Sequence, residues 1–255
     1  MAKRCSGCTE DRGLPFAIRT AFQPIVDLTT GRVHAYEALV RGPAGEGAAW
    51  VLDQVTEDNR YAFDQACRVT AIREAVAAGI VATGARLSIN FLPNAVYSPL
   101  ACIQLTLKTA DECGFPIDRL TFEFTENEQV DPDHLRSIVE TYRAIGFRTA
   151  LDDFGAGHSG LALLANLQTD IIKVDKELIS GIDASMPRRM IVTAVARLAH
   201  DMGIDVVAEG IETQGELEAV EGAGIRYAQG YLLARPALGE LVTPEHALVS
   251  RRRAA

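Results

Sequence analysis

Short apolar runs alternate with longer amphipathic stretches along most of this chain, and the alternation predicts strands followed by helices. Runs rich in β-branched and aromatic residues predict strands at 20–27, 33–40, 85–91, 119–125, 147–152, 171–175, 204–208 and 225–229. Apolar residues at the helical period predict helices near 58–78, 99–113, 132–145, 159–166, 186–202 and 214–222. A glycine follows four of these helices, as helix C-termini favour, at positions 79, 114, 146 and 203.

The number and order of these elements predict the fold class. Eight strands with intervening helices in 255 residues predict an α/β protein, a (β/α)8 barrel. Only the sequence LTTGR, residues 28–32, separates the first two strands, which is too short for a crossover helix and predicts a hairpin. The first strand should therefore run antiparallel to the second. We expect one domain at 16–245, an N-terminal tail at 1–15 and a basic C-terminal tail at 246–255.

The overall composition indicates which classes of partner and which cellular location to expect. A formal net charge of −9 and a pI of about 5.1 argue against binding of a nucleic-acid polymer, which needs a basic surface. No apolar run reaches the roughly 18 residues of a membrane span, so we expect no span and a cytoplasmic location. The CxxC pair of Cys5 and Cys8 lacks the second pair that a zinc site needs, and we interpret it as an exposed terminal segment.

Polar residues end seven consecutive predicted strands, where apolar strands have no packing reason to place them. These residues are Glu37 and Arg41, Asn90, Glu123, Asp152 and Asp153, Lys173 and Asp175, Glu209, and Gln229. A closed barrel gathers the C-terminal ends of its strands around one mouth, so five carboxylates should meet there. Two hard divalent cations would balance this charge, and the oxygen ligands favour Mg²⁺ or Mn²⁺ over zinc.

Asp152 and Asp153 are adjacent and should point to opposite faces if the strand stays extended. For both carboxylates to reach one site, the backbone must turn there, and the following sequence FGAGHSG supplies glycines that permit the turn. Two cations bridged by a carboxylate are an arrangement for hydrolysing phosphate esters. We therefore expect Asp152 to bridge a two-metal site.

Eight motifs, in order along the chain, resemble those of the EAL family of cyclic-di-GMP phosphodiesterases. They are FQPIVD (22–27), YEALVRG (36–42), SINFLP (88–93), FEFTE (122–126), LDDFGAGHSGL (151–161), IIKVD (171–175), AEGIET (208–213) and QGYLLARP (229–236). The resemblance covers about residues 16–240. It implies a TIM-like barrel with an antiparallel first strand, and hydrolysis of cyclic di-GMP to linear pGpG with Mg²⁺ or Mn²⁺.

The resemblance also implies roles for individual residues. The implied ligands of two metal ions are Glu37, Asn90, Glu123, Asp152, Asp153 and Glu209. The implied contacts to substrate are Gln23, Glu37, Leu39, Arg41, Asn90, Asp152 and Gln229, with Arg41 on a phosphate. Lys173 would orient or activate the attacking water, and Glu209 would be the general base unless the metals alone suffice. The implied supporting residues are Glu126, Asp175 and Glu212.

Three functions stay open at this point. The chain is an active phosphodiesterase, a catalytically silent EAL domain that acts as a cyclic-di-GMP receptor or protein-interaction module, or a barrel enzyme for another phosphate ester. Silent members of the family tend to lose metal ligands or the glycine-loop motif, and this sequence keeps every matching position, which favours the enzyme. The resemblance further implies a homodimer formed near the glycine loop, and control by a regulatory protein partner is a further expectation.

Overall fold

In the computed structural model, which describes residues 14–125, 130–157 and 160–244, eight strands close into a barrel. The strands are β1 (Arg19–Asp27), β2 (Arg32–Arg41), β3 (Arg86–Asn90), β4 (Leu120–Thr125), β5 (Arg148–Phe154), β6 (Ile171–Val174), β7 (Asp205–Ala208) and β8 (Tyr227–Ala228). Neighbours from β2 to β8 pair in parallel, whereas β1 pairs antiparallel with both β2 and β8 and so closes the barrel. The predicted (β/α)8 barrel with an antiparallel first strand is confirmed. A short strand β9 (Ala237–Leu238) also pairs with β1.

The helices follow the predicted pattern, with additions. They are α1 (Ala48–Leu52), α2 (Arg60–Ala77), α3 (Ile80–Thr83), α4 (Pro99–Cys102), α5 (Gln104–Cys113), α6 (Pro132–Ile145), α7 (Gly160–Asn166), α8 (Lys176–Ile179), α9 (Met186–Asp201) and α10 (Gln214–Gly222). The predicted helix at 99–113 is divided in two at Ile103. The sequence did not predict α1, α3 and α8, because helices of four or five residues are too short to show a period.

The barrel interior is layered, and the two-residue period of each strand determines which residues reach the mouth. An apolar layer crosses the middle of the barrel, formed by Ile25, Ala35, Ala150, Ile171, Val207 and Tyr227. Two residues further along the parallel strands, the same inward face carries Glu37, Asp152, Lys173, Glu209 and Gln229. On antiparallel β1 the direction is reversed, so Gln23 precedes Ile25. The polar mouth thus rests on an apolar floor, and a second apolar core packs the outer strand faces against the helices.

A buried ion pair connects α2 to the loop that follows β3. Arg68 Nη2 lies 2.7 Å from Asp64 Oδ2, and both side chains are almost fully buried. Asp64 also accepts a hydrogen bond from the backbone N–H of Leu92 at 3.0 Å, while Arg68 donates to the Tyr142 hydroxyl at 2.9 Å. This network fixes the segment directly after Asn90, although nothing in the sequence pattern singled it out.

The carboxylate of Asp27 stabilises the β1–β2 hairpin in a pH-dependent way. Burial alone would raise its pKa, but Arg226 at 2.7 Å and the backbone N–H of Thr29 outweigh this and lower the pKa to about 2. Because the folded pKa lies below the ordinary value, the stabilisation exists above about pH 4 and is lost as the pH falls towards 2.

We expect Asp27→Asn to lower the free energy of unfolding by about 1 kcal/mol at pH 7 but by little at pH 2. Urea titrations at both pH values measure this difference, with the exposed Asp58→Asn as a control. An equal loss at the two pH values would show that the ionised carboxylate is not the stabilising group.

Candidate active site

Carboxylates from four strands converge at the C-terminal mouth of the barrel. Oxygens of Glu37, Glu123 and Asp152 lie within 4.8 Å of one another, and oxygens of Asp152, Asp153 and Glu209 do the same. Asp152 therefore belongs to both groups. The five acids that the strand-end pattern predicted as one cluster are brought together, and the shared member is the one expected to bridge two cations.

Lys173 of β6 lies at the centre of this cluster. Its side chain is 1% exposed, and its Nζ lies 2.7 Å from Glu209, 2.8 Å from Glu123, 3.0 Å from Asp152 and 3.4 Å from Glu37. Burial alone would lower the pKa of Lys173, but the four carboxylates raise it well above its ordinary value. The ammonium therefore stays charged and holds the acids in place.

One ammonium does not neutralise four or five acids. Burial, with Glu37 and Asp152 nearby, raises the pKa of Glu123 to about 8 despite Lys173. Burial also raises the pKa of Asp152 and of Glu209. The excess negative charge at the mouth favours the binding of cations.

Glu37 behaves differently because three neighbours stabilise its ionised form. Burial alone would raise its pKa, but Lys173, Gln229 and Asn90 together lower it. Asn90 Nδ2 donates to one Glu37 oxygen at 3.0 Å, and Gln229 Nε2 donates to the other at 2.7 Å. Glu37 therefore stays ionised in a fixed position. It is suited to bind a cation together with Glu123 and Asp152.

The two adjacent aspartates reach one site because the chain turns between them. Asp153 has a φ of +55°, and it is the one non-glycine residue with positive φ in the described part of the chain. The pairing of β5 with β6 shifts register between Leu151 and Phe154, as the predicted turn requires. Burial, Asp152 and Asp175 raise the pKa of Asp153 to about 6. A strained backbone that places two acids together is typical of a functional site.

Amide side chains connect the cluster to the antiparallel strand. Gln229 Nε2 also lies 3.2 Å from Gln23 Oε1, and Gln23 Nε2 donates to the carbonyl of Ala234 at 3.1 Å. Both glutamines are buried at the mouth. The structure therefore places these two predicted residues directly beside Glu37.

The remaining predicted residues lie around this centre. Leu39 and Arg41 follow Glu37 along β2 and are half-buried, with Arg41 Nη1 on the carbonyl of Val40 at 2.8 Å. Asp175 caps α8 by accepting from the N–H of Glu177 at 2.7 Å. Glu212 forms an ion pair with Lys176. Predicted Glu126 lies outside the described residues, as do Cys5 and Cys8.

A cavity of about 230 Å³ opens beside the cluster. Its lining includes Glu37, Glu209 and Gln229, and also Lys176 and Tyr231, which the sequence analysis missed. Arg235 stacks on the Tyr231 ring at 4.2 Å. Their position in the sequence could have indicated them, because Lys176 directly follows Asp175 and Tyr231 stands two residues after Gln229. The cavity gives a ligand access to the acids.

The donor set suits hard divalent cations. Two groups of three carboxylates share Asp152, and the amide of Asn90 adjoins one group. Oxygen ligands without histidine or thiolate favour Mg²⁺ or Mn²⁺. The described residues therefore fit the two ions expected from the sequence.

We expect Lys173→Met to destabilise the fold by about 3–5 kcal/mol in the presence of a chelator, because buried carboxylates lose their counter-charge. Added Mn²⁺ should restore much of this loss. Denaturant unfolding with and without the metal measures both effects. Lys176→Met, which removes an exposed ammonium, should change stability little, and a Lys173→Met protein as stable as the wild type in chelator would contradict the assigned role.

Curated relatives of this chain include two Escherichia coli K12 proteins. One is the blue light- and temperature-regulated antirepressor BluF, 32% identical over 219 residues that cover 86% of this chain and 54% of BluF. The other is the probable cyclic di-GMP phosphodiesterase PdeB, 28% identical over 227 residues that cover 84% of this chain and 42% of PdeB. The chain thus spans about half of each relative.

Two solved structures are also similar. A standalone versatile EAL protein from Vibrio cholerae O395, in a c-di-GMP-bound form, has a TM-score of 0.89 and 46% identity, with 92% of this chain and 99% of that chain covered. BlrP1 of Klebsiella pneumoniae, as a manganese/cyclic-di-GMP complex, has a TM-score of 0.82 and 36% identity, with 89% and 58% covered.

None of the helices in the described part of the chain combines the length and apolar character needed to cross a membrane.

The family model described as the EAL domain matches residues 17–236, which include all eight strands of the barrel. This protein therefore belongs to the EAL domain family.

Proposed function

We propose that this protein is a metal-dependent phosphodiesterase that hydrolyses cyclic di-GMP to linear pGpG. The observation that carries the proposal is the pair of carboxylate groups that share Asp152 around Lys173. The names of the relatives support the same substrate: PdeB is a probable cyclic di-GMP phosphodiesterase, and BlrP1 was solved with manganese or calcium and the cyclic dinucleotide.

Two sets of residues would hold the cations. The first set is Glu37, Asn90, Glu123 and Asp152, and the second is Asp152, Asp153 and Glu209. When bound, Mg²⁺ or Mn²⁺ lowers the pKa of a coordinated water and offsets the negative charge of a phosphodiester. We expect Asp152, as the shared ligand, to be required at both positions.

The chain's own residues orient the reactants. The Lys173 ammonium donates to Glu209 at 2.7 Å and stays protonated, so it acts as a donor that orients the attacking water or a phosphate oxygen rather than as a base. Glu209 is the candidate proton acceptor, since it borders both Lys173 and the cavity. The forked donors of Arg41 at the rim suit a ligand phosphate. Gln23, Leu39 and Gln229 would contact the nucleotide.

A catalytically silent receptor is the second candidate function. BluF is named an antirepressor and not a phosphodiesterase, and it aligns with 86% of this chain. The complete carboxylate cluster favours the enzyme, since binding of cyclic di-GMP without hydrolysis does not require several carboxylates around one lysine. Binding of cyclic di-GMP without turnover in Mg²⁺ or Mn²⁺ would decide for the receptor.

We expect Asp152→Asn to abolish hydrolysis of cyclic di-GMP while the fold is kept, because one carboxylate serves both cation positions. The assay incubates purified protein with cyclic di-GMP and Mn²⁺ or Mg²⁺ and identifies pGpG, with a chelator control. Asp58→Asn, an equivalent change at an exposed position, should retain activity. Turnover retained by Asp152→Asn would refute the proposed two-metal chemistry, and equal turnover of simple diesters would indicate a different substrate.

We further propose a homodimer, in the cytoplasm, through the helices that follow neighbouring strands β5 and β6. Large apolar side chains are exposed there, with Met190 66% and Leu161 63% exposed. On α9, Met190 follows Met186 by four residues and Leu198 follows Met190 by eight, so the three lie along one side of the helix. An apolar stripe of this kind marks an interaction surface.

We expect Met190→Glu to shift the protein to a monomer, because a buried charge opposes association. Light scattering after size-exclusion chromatography measures the mass, with Ser137→Glu on α6 as a charge-matched control. If the wild-type protein is a monomer at all concentrations, the homodimer is excluded and the regulatory partner becomes the candidate for this surface.

A further inference from the structure

The four-residue helix α8 lies between two loops that adjoin acids of the second carboxylate group. Asp153 is the next-to-last residue of β5 and is followed by the loop with Gly155, and the loop after β7 carries Glu209 and then Gly210. We infer that α8 is a spacer that sets the separation of Asp153 and Glu209, with Leu178 and Lys176 as positioning residues for the second cation site. The inference rests on the two-cation site proposed above.

On one side, Leu178 packs directly on the glycine loop. A Cβ at Gly155 would clash with Leu178 Cδ1 and lie 3.3 Å from its Cγ. Gly155 also has a φ of +98°, a conformation that residues with a Cβ rarely adopt. The Leu178 side chain therefore limits how closely the backbone at Gly155, two residues after Asp153, can approach α8.

On the other side, the aliphatic stem of Lys176 packs on the backbone beside Glu209. A Cβ at Gly210 would lie 2.6 Å from both Cβ and Cγ of Lys176, and Gly210 has a φ of +67°. The Lys176 ammonium continues outward to Glu212. The stem, rather than the charge, is the part that meets the loop.

The spacer itself is fixed at both ends. The backbone N–H of Asp175 donates to the carbonyl of Phe154 at 3.1 Å, and Ile179 is fully buried. After the helix, the N–H of Gly181 donates to Glu216 at 2.9 Å. The same carboxylate accepts from the backbone N–H groups of Glu212 at 2.9 Å and Thr213 at 3.0 Å. Glu216 thus links the end of α8 to the loop after β7.

These contacts predict a selective effect on one cation. Glu37, Glu123 and Asp152 stand within strands of the barrel wall, so their positions do not depend on α8. Asp153, at the end of β5 where the pairing with β6 is interrupted, and Glu209, directly after β7, each adjoin a loop that packs on α8. Loosening the spacer should therefore weaken the second site and leave the first intact, because carboxylates from two different segments bind a cation only when their separation is fixed.

The test measures binding of Mn²⁺ alone to the full chain by calorimetry. The wild type should bind two ions, and Leu178→Ala should weaken the second by about tenfold or more while the first is unchanged. Leu107→Ala, at a half-buried leucine of α5 packed on the same core, controls for the loss of apolar packing. Equal effects of the two substitutions on the second ion would overturn the inference.

A second pair of variants separates the Lys176 stem from its charge. Lys176→Met keeps the stem and should bind two ions as the wild type does, whereas Lys176→Ala should weaken the second ion. Weakening by both to the same extent would refute the spacer role of the stem. A wild type that binds two ions without hydrolysing cyclic di-GMP, together with a selective loss of the second ion in Leu178→Ala, would refute the proposed function but support this inference. A wild type that binds only one ion would overturn the inference.

Discussion

The buried ammonium of Lys173 and the acids around it are the interaction on which the mouth of this barrel depends. Removing a carboxylate from water costs several kcal/mol at the order-of-magnitude level, and here four carboxylates lie within 3.4 Å of one lysine nitrogen. The arrangement is unbalanced without further positive charge. That imbalance gives the site an intrinsic affinity for cations.

The fold makes this concentration of charge feasible by separating it from the apolar layers. Six of the eight strands, all but β3 and β4, change from apolar to polar within one two-residue step, as Ile171 is followed by Lys173 and Val207 by Glu209. The reversed direction of β1 still delivers Gln23 to the same level, where it contacts Gln229 from β8. Hydrogen bonds between these amides and Glu37 connect the two strands that close the barrel. Barrel closure and site geometry therefore share the same residues.

Much of this structure was predictable from sequence because its signals are local and periodic. Strand alternation and the short LTTGR connection predicted the antiparallel hairpin, and the adjacent Asp152 and Asp153 predicted a turn that appears as the positive φ of Asp153. The strand-end pattern predicted the cluster, whereas the individual roles came from the resemblance to a family and remain proposals.

What the sequence did not predict depends on contacts between distant segments. The stem of Lys176 meets Gly210, and Asp64 meets the backbone of Leu92, and no periodicity records such pairings. Helix α8 is too short to have a pattern, yet it separates two loops of the site. A sequence shows which residues share a strand face, but side-chain packing between loops appears only in three dimensions.

We propose that the acids at the mouth hold two cations that share one carboxylate. Anomalous diffraction at the manganese edge, from crystals of the full chain grown with Mn²⁺, tests it most directly. Two peaks should appear at the C-terminal mouth, both in contact with Asp152. A single peak, or peaks away from Asp152, would contradict the claim.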